Sequence, residues 1–128
     1  MSSPPIVVSV EDRDRLSRLI EQTATAIAES LEVELDRARV LPSHDVPPNV
    51  VVMNSDIEYE DTTTGQRRRV RLVYPSDANT TDGRISVLAP LGCALLGLQV
   101  GHEIDWRMPG GVRRLRVLGV TPPARKED

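Results

Sequence analysis

"VLAPLGCALLGLQVGHEIDWRMPGG", Val87 to Gly111, decides the architecture, because its prolines and glycines fix where a very short apolar helix can start and stop. Pro90 suits a first helical turn, where its missing N–H costs nothing. Gly97 suits a left-handed stop. The helix is thus about "PLGCALLG", two turns, far too short to stand without packing. Leu91, Leu95 and Leu98, with Ala94, are expected to cover a sheet beside Trp106. The "PGG" at 109–111 supplies a tight turn between two strands.

The strands lie on either side of that helix. "DIEYE" alternates Ile57 and Tyr59 against Asp56, Glu58 and Glu60, and "QRRRVRLVYP" alternates Val70, Leu72 and Tyr74 against Arg67, Arg69 and Arg71. A hairpin through "TTTG" brings the acidic row against the arginine row, so cross-strand ion pairs account for these charges better than a partner site does. "VVVMN" (50–54), "RISVL", "HEIDWRM" and "VRRLRVLGV" complete about five strands. Strands with one helix among them predict an α+β unit built on a curved antiparallel sheet. Arg113, Arg114 and Arg116 are expected on a solvated face.

Upstream, residues 11–41 contain no Gly or Pro and many helix formers, with Ser9 placed to cap the start. Leu16, Ile20, Ile27, Leu31 and Ala38 form one stripe when wound at about 100° per residue. A single helix of about 45 Å satisfies that stripe, and so does a hairpin turning near Thr23–Thr25. Two antiparallel helices cover each other's stripe, which favours the hairpin, although "TATA" is a poor turn sequence. The boundaries read as a short helical hairpin (coiled coil) over 1–43, a linker at 44–49, a sheet domain over 50–121 and a tail at 122–128.

Composition excludes several functions. With no Phe, one Trp and two Tyr in 128 residues, neither an aromatic ligand pocket nor a base-stacking platform is expected. A net charge of −3 argues against a general nucleic-acid binder. His44 and His102 lie far apart and neither neighbours Cys93 with zinc-ligand spacing, so no metal, cofactor or catalytic group is expected. Cys93, single and inside an apolar run, reads as a small buried hydrophobe in a reducing compartment. No stretch reaches the roughly 20 apolar residues of a membrane span, and the first residues lack a signal-peptide pattern. A cytoplasmic location is the expectation.

The run from Ile85 to Val120 resembles the C-terminal domain of the bacterial transcript-cleavage factors GreA and GreB. The resemblance rests on Ile85, Ser86, Pro90, Ala94, Leu95, Leu96, Gly97, Gly101, Pro109, Gly110 and Gly111, and covers residues 50–120. "VVMNSDIEY", "LVYP" and "ELDRA" resemble the Rnk branch, small regulators of nucleoside diphosphate kinase that join a shortened helical N-terminus to such a domain. The resemblance implies an FKBP-like fold, no enzymatic activity, and binding to RNA polymerase near its secondary channel in competition with the cleavage factors. Leu88, Ala89, Pro90 and Leu91 would be the partner contact. Leu88 stands where some relatives have an acid.

In Gre factors, acids at the tip of a long coiled coil help hold a catalytic metal, so reach and carboxylates are both needed. Here the tip "QTATA" offers no carboxylate, Glu21 and Glu29 lie down the arms, and stimulation of cleavage is not expected. Two alternatives stand beside this reading: a peptidyl-prolyl isomerase of the same fold, and direct binding of nucleoside diphosphate kinase.

Overall fold

The computed structural model describes residues 6–108 and 111–123, with only the backbone at 80 and 106–108. Two helices, α1 (Val10–Glu21) and α2 (Ala26–Arg37), form an N-terminal hairpin. Its threonines explain why "TATA" turns the chain. The Thr23 hydroxyl donates to the Leu19 carbonyl (2.8 Å) and closes α1. Thr25, in extended conformation, accepts the Ala28 N–H (3.1 Å) and starts α2. Ser9 caps α1 as expected, accepting from the Asp12 N–H at 3.0 Å. Each cap satisfies a helix-end group that would otherwise lack a partner.

Because the helix breaks, α2 winds in its own phase. Leu16 and Leu31 are fully buried as the stripe requires, but the remaining buried positions of α2 are Ala28 and Leu35, while Ile27 is only half-buried. A stripe computed through unbroken winding therefore drifts off the core face after Thr25.

Two three-residue strands hold the base of the hairpin. β1 (Val7–Ser9) runs directly into α1, and β2 (Arg39–Leu41) follows α2; they pair in parallel, Val8 against Val40. A parallel pair needs a crossover, and the helical hairpin is that crossover.

The second layer is a five-stranded sheet, β3 (Asp56–Asp61), β4 (Gln66–Val73), β5 (Arg84–Ser86), β6 (Glu103–Met108) and β7 (Gly111–Thr121), in the order β5-β4-β3-β7-β6. One short helix, α3 (Pro90–Leu95), follows β5. Helical hairpin, sheet and single short helix agree with expectation. The sheet is mixed rather than antiparallel, since β5 lies parallel to β4 (Leu72 against Ile85). The 74–83 connection explains this: two 3-10 turns, Pro75–Asp77 and Thr80–Asp82, carry the chain round so that β5 re-enters in the direction of β4.

"VVVMN" is not a ladder strand. Val50 makes one isolated bridge to Gln99, and Val51 exchanges hydrogen bonds with the 97–98 segment, its N–H donating to Leu98 O (2.8 Å) and its carbonyl accepting from Gly97 N–H (2.9 Å). Asn54 then turns with φ +68°, which ends any extended run. Val50, Val51 and Met53 are buried nonetheless. The core joins both layers: Leu16 and Leu31 of the hairpin pack in one cluster with Ile57, Leu72, Leu95, Leu96 and Val117. Leu96 is fully buried whereas Leu91 and Leu98 are half-buried. The Trp106 side chain, the tip of the "PGG" turn and residues 124–128 of the tail lie outside the described residues.

Candidate functional site

The strand-to-helix corner is built by close backbone approach. Beyond β5, the Ser86 hydroxyl accepts the Leu88 N–H and the Ser86 carbonyl accepts the Ala89 N–H, both at 3.0 Å. A Cβ at Gly92 would lie 2.0 Å from the Ser86 carbonyl oxygen, so only glycine lets the first turn of α3 sit on the strand end. Gly97, at φ +81°, stops the helical segment, and a Cβ there would lie 2.2 Å from Ile6 Cβ. The four residues Leu88–Leu91 are thereby mounted on a rigid corner, with Pro90 exposed and Leu88, Ala89 and Leu91 half-buried.

Leu91 borders a cavity of about 230 Å³ that also takes Tyr59, Asp61, Gln66, Arg68, Arg113 and Leu115. Sequence reading missed this group, because its members come from β3, β4, α3 and β7. One signal was available: Asp61 stands in phase with Ile57 and Tyr59, and a charged residue on the inward face needs a partner. The Asp61 carboxylate accepts Arg113 Nη1 at 2.8 Å and the Thr63 N–H at 2.9 Å. Burial acts to raise its pKa, but the Arg113 hydrogen bond and the Thr63 N–H outweigh it and hold the carboxyl below the usual range. Tyr59 is 6% exposed. Burial pushes its hydroxyl up, with the Arg68 charge opposing and the Asp61 charge adding.

The outer face of the sheet carries the expected ladder. Asp56, Glu58 and Glu60 stand in register against Arg71, Arg69 and Arg67. Arg71 grips Asp56 through two hydrogen bonds (2.9 and 3.2 Å), and Arg67 approaches Glu60 at 3.7 Å. Arg113, Arg114 and Arg116 are more than a solvated face: Arg114 pairs with Asp105 at 3.1 Å, Arg116 pairs with Glu103, and Arg113 holds Asp61. A groove of about 750 Å³ crosses this face, lined by residues that include the Asp56–Arg71 and Asp82–Arg84 pairs. Its charges largely answer one another.

Hairpin and sheet layer meet at Asp12, whose Oδ2 accepts the Met53 N–H at 3.2 Å. Burial pushes this carboxyl above its ordinary range. Nearby, the Tyr74 hydroxyl is buried close to Asp12 and Arg15 without a well-formed hydrogen bond to either, and burial and the Asp12 charge push it up to about 12. Burial, then the Glu34 charge, also raises the Cys93 thiol, the direction opposite to that of an activated cysteine. His102 Nδ1 accepts the Gln99 N–H within a turn (3.3 Å), and His44 lies beside Asp45. Among the described residues no group of His, Cys, Asp and Glu could hold a metal ion, and no helix is long and apolar enough to cross a membrane.

Comparison with known proteins gives this arrangement its relatives. The pattern described as "Transcription elongation factor, GreA/GreB, C-term" matches residues 46–122, and "Rnk N-terminus" matches residues 4–41. The chain is 43% identical over 115 residues to the "Regulator of nucleoside diphosphate kinase" of Escherichia coli K12, covering 88% of this chain and 85% of that one. It is 37% identical over 94 residues to "Transcription inhibitor protein Gfh1" of Thermus thermophilus, covering 72% of this chain and 59% of the relative. A solved structure of a "Prokaryotic transcription elongation factor GreA/GreB" from Nitrosomonas europaea superposes with TM-score 0.82 at 42% identity, covering 94% of this chain and all of that one.

Proposed function

This chain belongs to the GreA/GreB C-terminal family, in the form that carries an Rnk-type N-terminus, and from that premise we propose that it regulates transcription by docking on RNA polymerase near the secondary channel. Leu88, Ala89, Pro90 and Leu91 make the contact, and the bound protein excludes Gre cleavage factors without stimulating cleavage itself. The observation that carries this reading is a Gre-type unit joined to a short prong whose tip carries no carboxylate. Each arm has 12 residues, about 18 Å of helix. The turn between them, Gln22 to Thr25, holds no acid. Such a prong brings neither the reach nor the ligands for a metal in the polymerase active centre.

The rigid corner supports the contact assignment, because loops held by a stiff scaffold keep a binding surface in shape. The test is retention of core polymerase on the immobilised protein, with release by an added cleavage factor. Retention unchanged in Pro90→Ala and Leu91→Asp together would remove the corner from the interface, and accelerated transcript cleavage would remove the non-cleaving role.

A second reading draws on the name of the E. coli relative: regulation of nucleoside diphosphate kinase, directly or through expression. Capture of the kinase but not the polymerase would favour direct binding. The isomerase alternative finds less support, since Tyr59 is the one aromatic residue among the described lining of the cavity beside Leu91. The protein acts as a regulator, not an enzyme.

A further inference from the structure

The cavity beside Leu91 has an apolar floor and two polar groups with nothing to bind. Leu91, Leu115 and the Tyr59 ring supply the floor. Tyr59 is buried, with 6% exposure, but its hydroxyl is not among the buried side-chain atoms left without a partner, so with no hydrogen bond to a described residue it is open to the cavity. Tyr59, Arg68 and Asp61 all line the cavity. Arg68 stands opposite Tyr59 in the β3–β4 register and pairs with no acid among the described residues. On the same strand but the opposite face, Arg67 and Arg71 do pair with acids. Asp61 is already neutralised by Arg113 at 2.8 Å, so it does not cancel Arg68.

Two donors lining a cavity with an apolar floor define a ligand that is apolar at one end and anionic at the other. The volume, about 230 Å³, falls below the roughly 300–1,000 Å³ of ordinary small-molecule sites, which excludes a nucleotide and suits single side chains. We propose that this cavity receives a protein segment presenting an aliphatic residue next to an Asp or Glu. The aliphatic side chain lies on Leu91, Leu115 and the Tyr59 ring, and the carboxylate takes hydrogen bonds from the Arg68 guanidinium and the Tyr59 hydroxyl. The raised pKa of Tyr59 keeps that hydroxyl a donor at neutral pH. This deepens the reading of the Leu88–Leu91 corner as a partner contact and rests on it, since Leu91 belongs to both.

The test titrates the full chain, labelled with nitrogen-15, with capped acetyl-Leu-Glu-amide and with the Leu-Lys counterpart, following amide shifts. The expected result is a saturable response centred on Tyr59, Arg68 and Leu91 for Leu-Glu only. Tyr59→Phe and Arg68→Ala each weaken it by about tenfold, the size of one lost charge-assisted hydrogen bond, while Arg69→Ala, on the opposite face, leaves it unchanged. The spectrum of each variant reports whether it has folded. Equal responses to Leu-Glu and Leu-Lys, or shifts centred elsewhere, overturn the assignment. Polymerase retention together with no Leu-Glu response overturns the cavity and spares the proposed function. A Leu-Glu response without polymerase retention upholds the cavity and overturns the docking reading.

Discussion

On the outer face of the five-stranded sheet, rows of opposite charge alternate from strand to strand: Arg67 and Arg71 on β4, Glu60 and Asp56 on β3, Arg114 and Arg116 on β7, Asp105 and Glu103 on β6. The inner face is apolar from Ile57 to Val117 except near the β3–β4 turn, where Asp61, Arg113, Tyr59 and Arg68 gather beside Leu91. The difference separates two uses of arginine. Where an acid on the next strand reaches across, as Asp56 does to Arg71 and Glu60 to Arg67, the charge is answered inside the fold and serves solubility and register. Where the cross-strand neighbour is a tyrosine, as for Arg68, the charge meets no acid among the described residues.

The largest break in this comparison comes from removing the inner cover. Leu95→Ala, at a side chain with no exposure, should lower unfolding free energy by about 2–5 kcal/mol, read from the urea midpoint at unchanged slope. Next is the buried acid, which pH reaches selectively. The Asp61 carboxyl is held below its ordinary range, so the unfolded chain binds its proton more readily than the folded one. Its contribution is therefore present above about pH 3.9 and is lost as pH falls through the folded value. Asp12, raised instead, works in the other sense, with stability falling as pH rises from the ordinary range through its folded value. Asp61→Asn should flatten the acid limb of stability against pH, and Asp12→Asn should not; identical profiles would contradict the assignment.

The outer ladder should respond far less. A double-mutant cycle on Arg67 and Glu60 is expected to give a coupling of about 0–1 kcal/mol, smaller still in molar salt. The smallest effect sharpens the comparison most. Arg68→Ala should leave stability within about 0.5 kcal/mol of the parent, because no partner loses a bond. A larger loss would mean that Arg68 serves the fold.

Much of the scaffold was legible where backbone chemistry is restrictive. Pro90 and Gly97 fixed the ends of the short helix because few residues tolerate those positions, and the period-two charges of 56–60 and 67–71 fixed the register of the β3–β4 hairpin. The phase of α2 was not legible, since the break at Thr23–Thr25 restarts the winding. "VVVMN" misled because burial, not pairing, is why those valines are apolar. The Leu88–Leu91 corner was readable as one contiguous segment, whereas the cavity beside it was hidden: its lining converges from four elements, and only the in-phase Asp61 hinted at it.

The two short parallel strands at the foot of the helical hairpin have a consequence for how such proteins diversify. They clamp the incoming and outgoing chain side by side, as a chuck holds a drill bit. Helical turns can be added to or removed from both arms together, moving the tip by about 5.4 Å per turn, while the clamp and everything beneath it keep their geometry. How far the protein probes and what it holds on to are therefore separable traits, open to change one at a time.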